Sequence, residues 1–159
     1  MKRSSTIFLQ AVLVALGLGV LALMLWEPHL EGRNKQATPF EIYFKDPFLA
    51  YAYIASIAFF VGLFQAFKLL GYIGQNKVFS QAAVNALRTI KVCAMALVAF
   101  IVAPLAYLLI VRPGDDIAGG VAMGLFLTFV SAVIGTAAAV FQRTLQSAVD
   151  IKSEHDLTV

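Results

Sequence analysis

The stretch "FQAFKLLGYIGQNKVFSQAAVNALRTIK", Phe64 to Lys91, carries Lys68, Lys77, Arg88 and Lys91 and no acidic residue. Strongly apolar runs flank it on both sides. The chain has only 12 Lys+Arg in 159 residues, so placing four of them here without a counter-charge needs a cause.

Composition supplies the setting. The chain is 60% hydrophobic and 13% charged, against about 25% charged in soluble domains. A single soluble domain of this length could not bury so much apolar surface. The few charges are clustered, which leaves long uncharged runs. About 20 apolar residues cross a bilayer core at 1.5 Å each. Four segments qualify: 7–26, 48–67, 92–111 and 117–141. They predict an all-α fold, an integral membrane four-helix transmembrane bundle, forming one domain over 1–159. An outer loop over 27–47, a cytoplasmic loop over 68–91 and a tail over 142–159 complete it. The first span does not read as a cleaved signal. Its apolar run exceeds the usual 7–15 residues, and Met24-Leu25-Trp26-Glu27-Pro28 offers no small pair for cleavage.

The opening question then has an answer. Loops that stay inside carry excess Lys and Arg. With four spans, one side receives Lys2, Arg3, Lys68, Lys77, Arg88, Lys91, Arg143 and Lys152, eight in all. The other receives Arg33, Lys35, Lys45 and Arg112, four in all. Both termini are therefore expected in the cytoplasm, with the 68–91 segment held near anionic headgroups. That placement accounts for the charge, so no direct nucleic-acid contact is expected.

Local signals refine the picture. Gly71 and Gly74, followed by Gln75-Asn76, predict a helix stop and a turn. Ser80 is a candidate N-cap. From there Ala83, Val84, Leu87 and Ile90 share one face and Gln81, Asn85 and Arg88 another, predicting a helix that runs into the third span without a break. In the tail, Phe141, Leu145, Ala148 and Ile151 predict an amphipathic extension of the fourth span, ending near Ser153. Asp150, Glu154 and Asp156 make it acidic, so it is expected to dock on the basic segment, with Asp150 or Glu154 near Lys77, Arg88 or Lys91. In the fourth span, Gly120, Gly124, Thr128, Ser131, Gly135 and Ala139 form a small-residue stripe, expected to pack on other helices. Ala55, Ala58, Gly62 and Ala66 form a weaker one. Pro104 interrupts the third span and frees a carbonyl. Trp26, Phe40, Tyr43, Phe44, Phe48, Tyr51 and Tyr53 suggest an aromatic belt, with a short interfacial helix over 39–45. Asp115 and Asp116 suit the start of the fourth span, and without a third ligand nearby they make a poor cation site.

No span has a charged residue at its centre, the feature that marks ion or proton pathways. There is no Ser/His/Asp arrangement, no Gly-rich phosphate loop and no paired His. Cys93 is the only cysteine, too few for a cysteine-based metal site. No catalytic, metal-ligating or cofactor-binding residue is therefore expected, and the chain does not read as an enzyme.

"AFKLLGYIGQNKVFSQAAVNALRTIK" and the ending "QSAVDIKSEHDLTV" resemble domain-of-unknown-function family 2975, small bacterial four-span membrane proteins. The matching features are Phe67-Lys68-Leu69-Leu70, the Asn76-Lys77-x-Phe79-Ser80 turn, and Asp150-Ile151-Lys152-Ser153-Glu154 followed by Asp156-Leu157-Thr158-Val159. The family pattern often has Asp where Gly74 stands and Asn where His155 stands. The resemblance implies a multi-pass protein of the bacterial inner membrane with no settled activity. It also implies, by gene neighbourhood, a membrane partner for a small helix-turn-helix repressor of the Xre type.

The function expected is thus a non-enzymatic interaction or regulatory protein, acting through a cytoplasmic face that bears Lys68, Lys77, Arg88, Lys91, Asp150 and Glu154. Its partners would be the lipid bilayer, a protein at that face and further copies of itself. The alternative is a small transporter or channel component acting as an oligomer. A polar pore would favour transport, and a dry bundle with an ordered cytoplasmic platform would favour interaction. The topology is directly testable in a Cys93→Ser background. Lys77→Cys should resist a membrane-impermeant thiol reagent added to intact cells, and Lys35→Cys should label readily. The reverse pattern would invert the orientation.

Overall fold

The computed structural model describes residues 3–30, 38, 40, 47–111 and 118–157. They form four long helices: α1 (Arg3–Leu30), α2 (Pro47–Gly74), α3 (Gln81–Val111) and α4 (Ala118–Leu157). All four are long and apolar enough to cross a membrane. Of the expected interfacial helix over 39–45 only Phe40 is described, and the turn at 112–116 lies outside the described residues. The helices overrun the apolar runs that predicted them. α4 continues past Ser153, and α3 starts at Gln81, well before its apolar run, as the periodicity after Ser80 anticipates.

The α2–α3 turn follows from its residues. Gln75 N–H donates to the Gly71 carbonyl at 3.1 Å, Asn76 N–H to Ile73 at 3.2 Å and Lys77 N–H to Tyr72 at 2.8 Å. These bonds satisfy the last carbonyls of α2. Asn76 takes φ 56°, a left-handed conformation that Asn tolerates better than most residues. Ser80 Oγ then accepts from Ala83 N–H at 3.3 Å, capping α3.

Each helix packs on its neighbour in sequence, and α3 on α4 is the most extensive contact. The described hydrophobic residues that are fully buried all belong to these two helices. Their seam repeats at four-three steps. On α4 it runs through Gly124, Thr128, Ser131, Gly135, Ala138, Gln142, Leu145 and Val149, all buried or half-buried. On α3 it runs through Ala83, Leu87, Ile90, Ala94, Leu97, Ile101, Leu105 and Leu108. This 3.5-residue period is that of a coiled coil. The backbones are close. A Cβ on Gly124 would stand 2.7 Å from Leu105 Cδ1, and one on Gly135 would stand 3.3 Å from Ala94 Cβ. Here the small-residue stripe needs correction. Gly124, Ser131 and Gly135 lie on the seam, but a Cβ on Gly120 would meet no atom of another helix within 4 Å among the described residues, and Gly120 is exposed. Three residues before Gly124 the seam meets Val121, and three after Gly135 it meets Ala138 rather than Ala139.

The other contacts also use small residues. A Cβ on Gly62 of α2 would meet Cys93 Cβ of α3 at 3.3 Å. One on Gly17 of α1 would meet Leu63 of α2 at 2.8 Å. α1 is otherwise exposed along most of its length. An apolar cavity of about 210 Å³ is lined from all four helices, among others by Leu13, Gly62, Cys93, Leu97 and Ser131.

Pro104 has a structural partner. Its missing N–H would have bonded the Phe100 carbonyl, four residues earlier. Tyr51 Oη of α2 donates to that carbonyl instead, at 2.8 Å. The two rings meet edge to face with centroids 5.5 Å apart. Tyr53 Oη likewise donates to the Met24 carbonyl of α1 at 3.0 Å. An aromatic belt would have these tyrosines point wet tips outward. Their hydroxyls instead bond neighbouring helices, because an unpaired carbonyl is costly where water is scarce. Tyr51→Phe should lower the melting temperature in detergent, at about 1–3 kcal/mol for the stranded carbonyl. In a Pro104→Ala background that cost should largely vanish, since the backbone N–H restored at position 104 would take the carbonyl. Equal costs in both backgrounds would show that Tyr51 acts through packing alone.

Candidate interaction face

The end of the molecule bearing the α2–α3 turn and the last turns of α4 holds the only clustered core among the described residues. Ala83, Val84, Leu87, Ala138 and Leu145 form it, with Leu69, Tyr72, Val78, Ile90 and Val149 packed around. The tail therefore docks on the basic segment, and apolar burial at Leu145 and Val149 holds it. Gln81 and Gln146 join the two helices further out, exchanging amide hydrogen bonds of 3.3 and 3.4 Å.

Asp150 accepts from Gln146 Nε2 at 2.8 Å. Register separates it from Arg88 and Lys91. Gly135 faces Ala94 and Gln81 faces Gln146, so Arg88 and Lys91 stand level with residues near 141 and 138. Asp150 lies about 13 Å further along the axis than Arg88, at 1.5 Å per residue. Lys91 is half-buried beside the seam, and its carbonyl would lie 3.9 Å from a Cβ on Gly135. Lys68 is exposed, with Nζ 5.4 Å from the centre of the Phe64 ring, an arrangement suited to a cation at a membrane surface. Arg88 and Glu154 are exposed.

The structure brings Lys77 together with Lys152 instead. Asn76, Lys77, Phe79, Ala148, Ile151 and Lys152 line a groove of about 530 Å³ between the turn and α4. Phe79 is 60% and Ile151 59% exposed. The tail periodicity puts Ile151 on the docked face, but with Leu145 and Val149 facing α3 it lies on the flank of the helix. The sequence signals at this groove were the family-matching turn with Phe79, the Asp150-Ile151-Lys152 run and the tail periodicity through Ala148 and Ile151, none of which shows that these residues come together.

A second cavity, of about 570 Å³, lies between α1 and the end of α2. Thr6, Ile7, Gln10, Gly71, Gly74, Gln75 and Lys77 line it. Gln10 Nε2 donates to the Phe67 carbonyl at 3.2 Å. Thr6 is 3% exposed, and its Oγ1 has no hydrogen-bond partner. Nothing in the sequence pattern marks Thr6 or Gln10, which lie in or beside an otherwise apolar span, as partners of the turn residues and Lys77. Among the described residues no three His, Cys, Asp or Glu come together as a metal site would need.

No solved structure matches this chain. It is 42% identical over 160 residues to the uncharacterized membrane protein YoaS of Bacillus subtilis (strain 168), covering 100% of both chains. The chain is thus, like that relative, a membrane protein. The profile of the family described as protein of unknown function (DUF2975) matches residues 32–159. With most of its length under that profile and a full-length relative at this identity, the chain belongs to the DUF2975 family.

Proposed function

We propose that this is a non-enzymatic membrane protein of the inner membrane, with both termini in the cytoplasm, that docks a regulatory partner through the groove between the α2–α3 turn and α4. One observation carries the reading: Phe79 and Ile151 are exposed beside Lys77 and Lys152 on a platform held by buried Leu145. An apolar floor with cationic rims suits an amphipathic segment with acidic flanks. The apolar contacts would supply affinity and the lysines orientation and encounter rate. The small helix-turn-helix repressor that the family resemblance implies is the partner of choice.

The transport alternative has less behind it. The cavity lined by all four helices is apolar apart from Ser131 and the Cys93 thiol, where a conduit for polar solutes would need a chain of polar groups.

A two-hybrid assay in bacterial cells, with the full chain and a neighbouring Xre-type repressor, tests the proposal. The intact chain should interact. The double substitution Phe79→Glu with Ile151→Glu should abolish the signal at unchanged membrane abundance, and Arg143→Gln should leave it intact. A signal that survives the double substitution removes the groove, and no signal from the intact chain removes the repressor.

A further inference from the structure

The α1–α2 crevice has a use of its own, sharing only Lys77 with the groove between the turn and α4. We infer that it is a specific site for one anionic phospholipid, whose phosphate headgroup sits among Thr6, Gln10, Gln75 and Lys77 and whose acyl chain lies along Leu13, Val14, Phe60, Phe64 and Phe67.

Two cavities lie along the α1–α2 packing and differ in chemistry. The first is the polar one that Thr6 lines. The second, of about 330 Å³, is lined by Leu13, Val14, Phe60, Leu63, Phe64 and Phe67. Helical steps place them on one continuous face. Ile7, Gln10 and Val14 follow one another on α1, and Phe60, Phe64, Phe67, Gly71 and Gln75 do so on α2. From Gln75 to Phe60 the face runs about 22 Å at 1.5 Å per residue. One leaflet of hydrocarbon is about 15 Å deep. The crevice therefore passes from the headgroup layer through a leaflet, polar at one end and apolar below, which is the shape of a lipid.

The polar end favours an anion. The carbonyls of Gly71, Tyr72 and Ile73 are already taken by the turn. The donors at this end are the ammonium of Lys77, the amide of Gln75 and the hydroxyl of Thr6, which is buried and unpartnered. A buried hydroxyl without a partner costs stability unless something completes it. Gly71 and Gly74 let the side chains of Thr6 and Gln10 come close to the α2 backbone. A Cβ on Gly74 would stand 3.0 Å from Thr6 Cγ2, and one on Gly71 would stand 3.5 Å from Gln10 Nε2. No acidic residue is among the described residues that line the cavity. A phosphate diester fits this set, and the apolar groove beneath commits it to a lipid rather than a free ion.

Native mass spectrometry and thermal melting of the full chain in detergent test this. Dioleoylphosphatidylglycerol should bind as a single retained copy and raise Tm, while dioleoylphosphatidylcholine does so far less. Inorganic phosphate should do neither. Lys77→Gln should weaken phosphatidylglycerol binding about fivefold, the worth of one Lys beside an anionic surface. Thr6→Val should leave the lipid-free Tm unchanged or raised, since it removes an unpaired hydroxyl, yet lose part of the lipid-induced rise. Arg143→Gln, a basic residue elsewhere on the same end, should bind as the unmodified chain does. Equal stabilisation by both lipids would overturn the anionic headgroup. Full stabilisation by inorganic phosphate would overturn the lipid. Unchanged phosphatidylglycerol binding in both Lys77→Gln and Thr6→Val would overturn the site.

Discussion

Two helices in lipid gain little by hiding apolar surface from each other, because the surrounding chains are as apolar as they are. What holds them is close backbone approach, and in this protein that approach is concentrated between α3 and α4. Gly124 beneath Leu105 and Gly135 beside Ala94 let the two axes come together. The seam then extends beyond the apolar runs, to Leu145 against Val84 and Leu87. Wherever water reaches that end, burying Leu145 adds the hydrophobic effect, at about 25 cal/mol per Å² of apolar area. α2 is added through Gly62 on Cys93 and through Tyr51, and α1 through Gly17 on Leu63.

A second constraint acts along the same helices. Backbone groups in lipid must find partners inside the protein, and Pro104 breaks that rule at Phe100. The Tyr51 hydroxyl restores it from the next helix. The bend-prone point of α3 is therefore a tie between α2 and α3. At the opposite extreme, Thr6 Oγ1 is left without a partner in a cavity with Lys77. The mismatch at Phe100 is solved within the chain, and the one at Thr6 is met by what the membrane offers.

The four helices were legible in the sequence because each is a run of apolar side chains between charges. The turn was legible because Gly74, Asn76 and Ser80 each have a local role that does not depend on the rest of the fold. Docking of the tail could be anticipated from the apolar spacing that includes Leu145. Partners across helices could not. Gly120 looked like Gly124 because a stripe of small residues does not reveal the register or period of the helix it will meet. Of the acid–base pairings that charge suggested, the antiparallel register puts Asp150 and Arg88 on different levels. Ile151 sits at the same spacing as Leu145, yet a 3.5-residue seam rotates it onto the flank. Thr6, Gln10 and Gln75 form a cavity only because α1 lies against the end of α2, which no local pattern encodes.

The α3–α4 seam carries both the fold and the platform on which the groove is built, so its geometry is the claim to test first. Melting of three single variants in detergent does so. Gly124→Leu and Gly135→Leu should each lower Tm markedly, since over-packing a close contact costs about 1–3 kcal/mol. Gly120→Leu, with no atom within 4 Å of its Cβ position, should melt like the unmodified chain. If Gly120→Leu is as damaging as the other two, or if all three melt unchanged, the seam does not run where this structure places it.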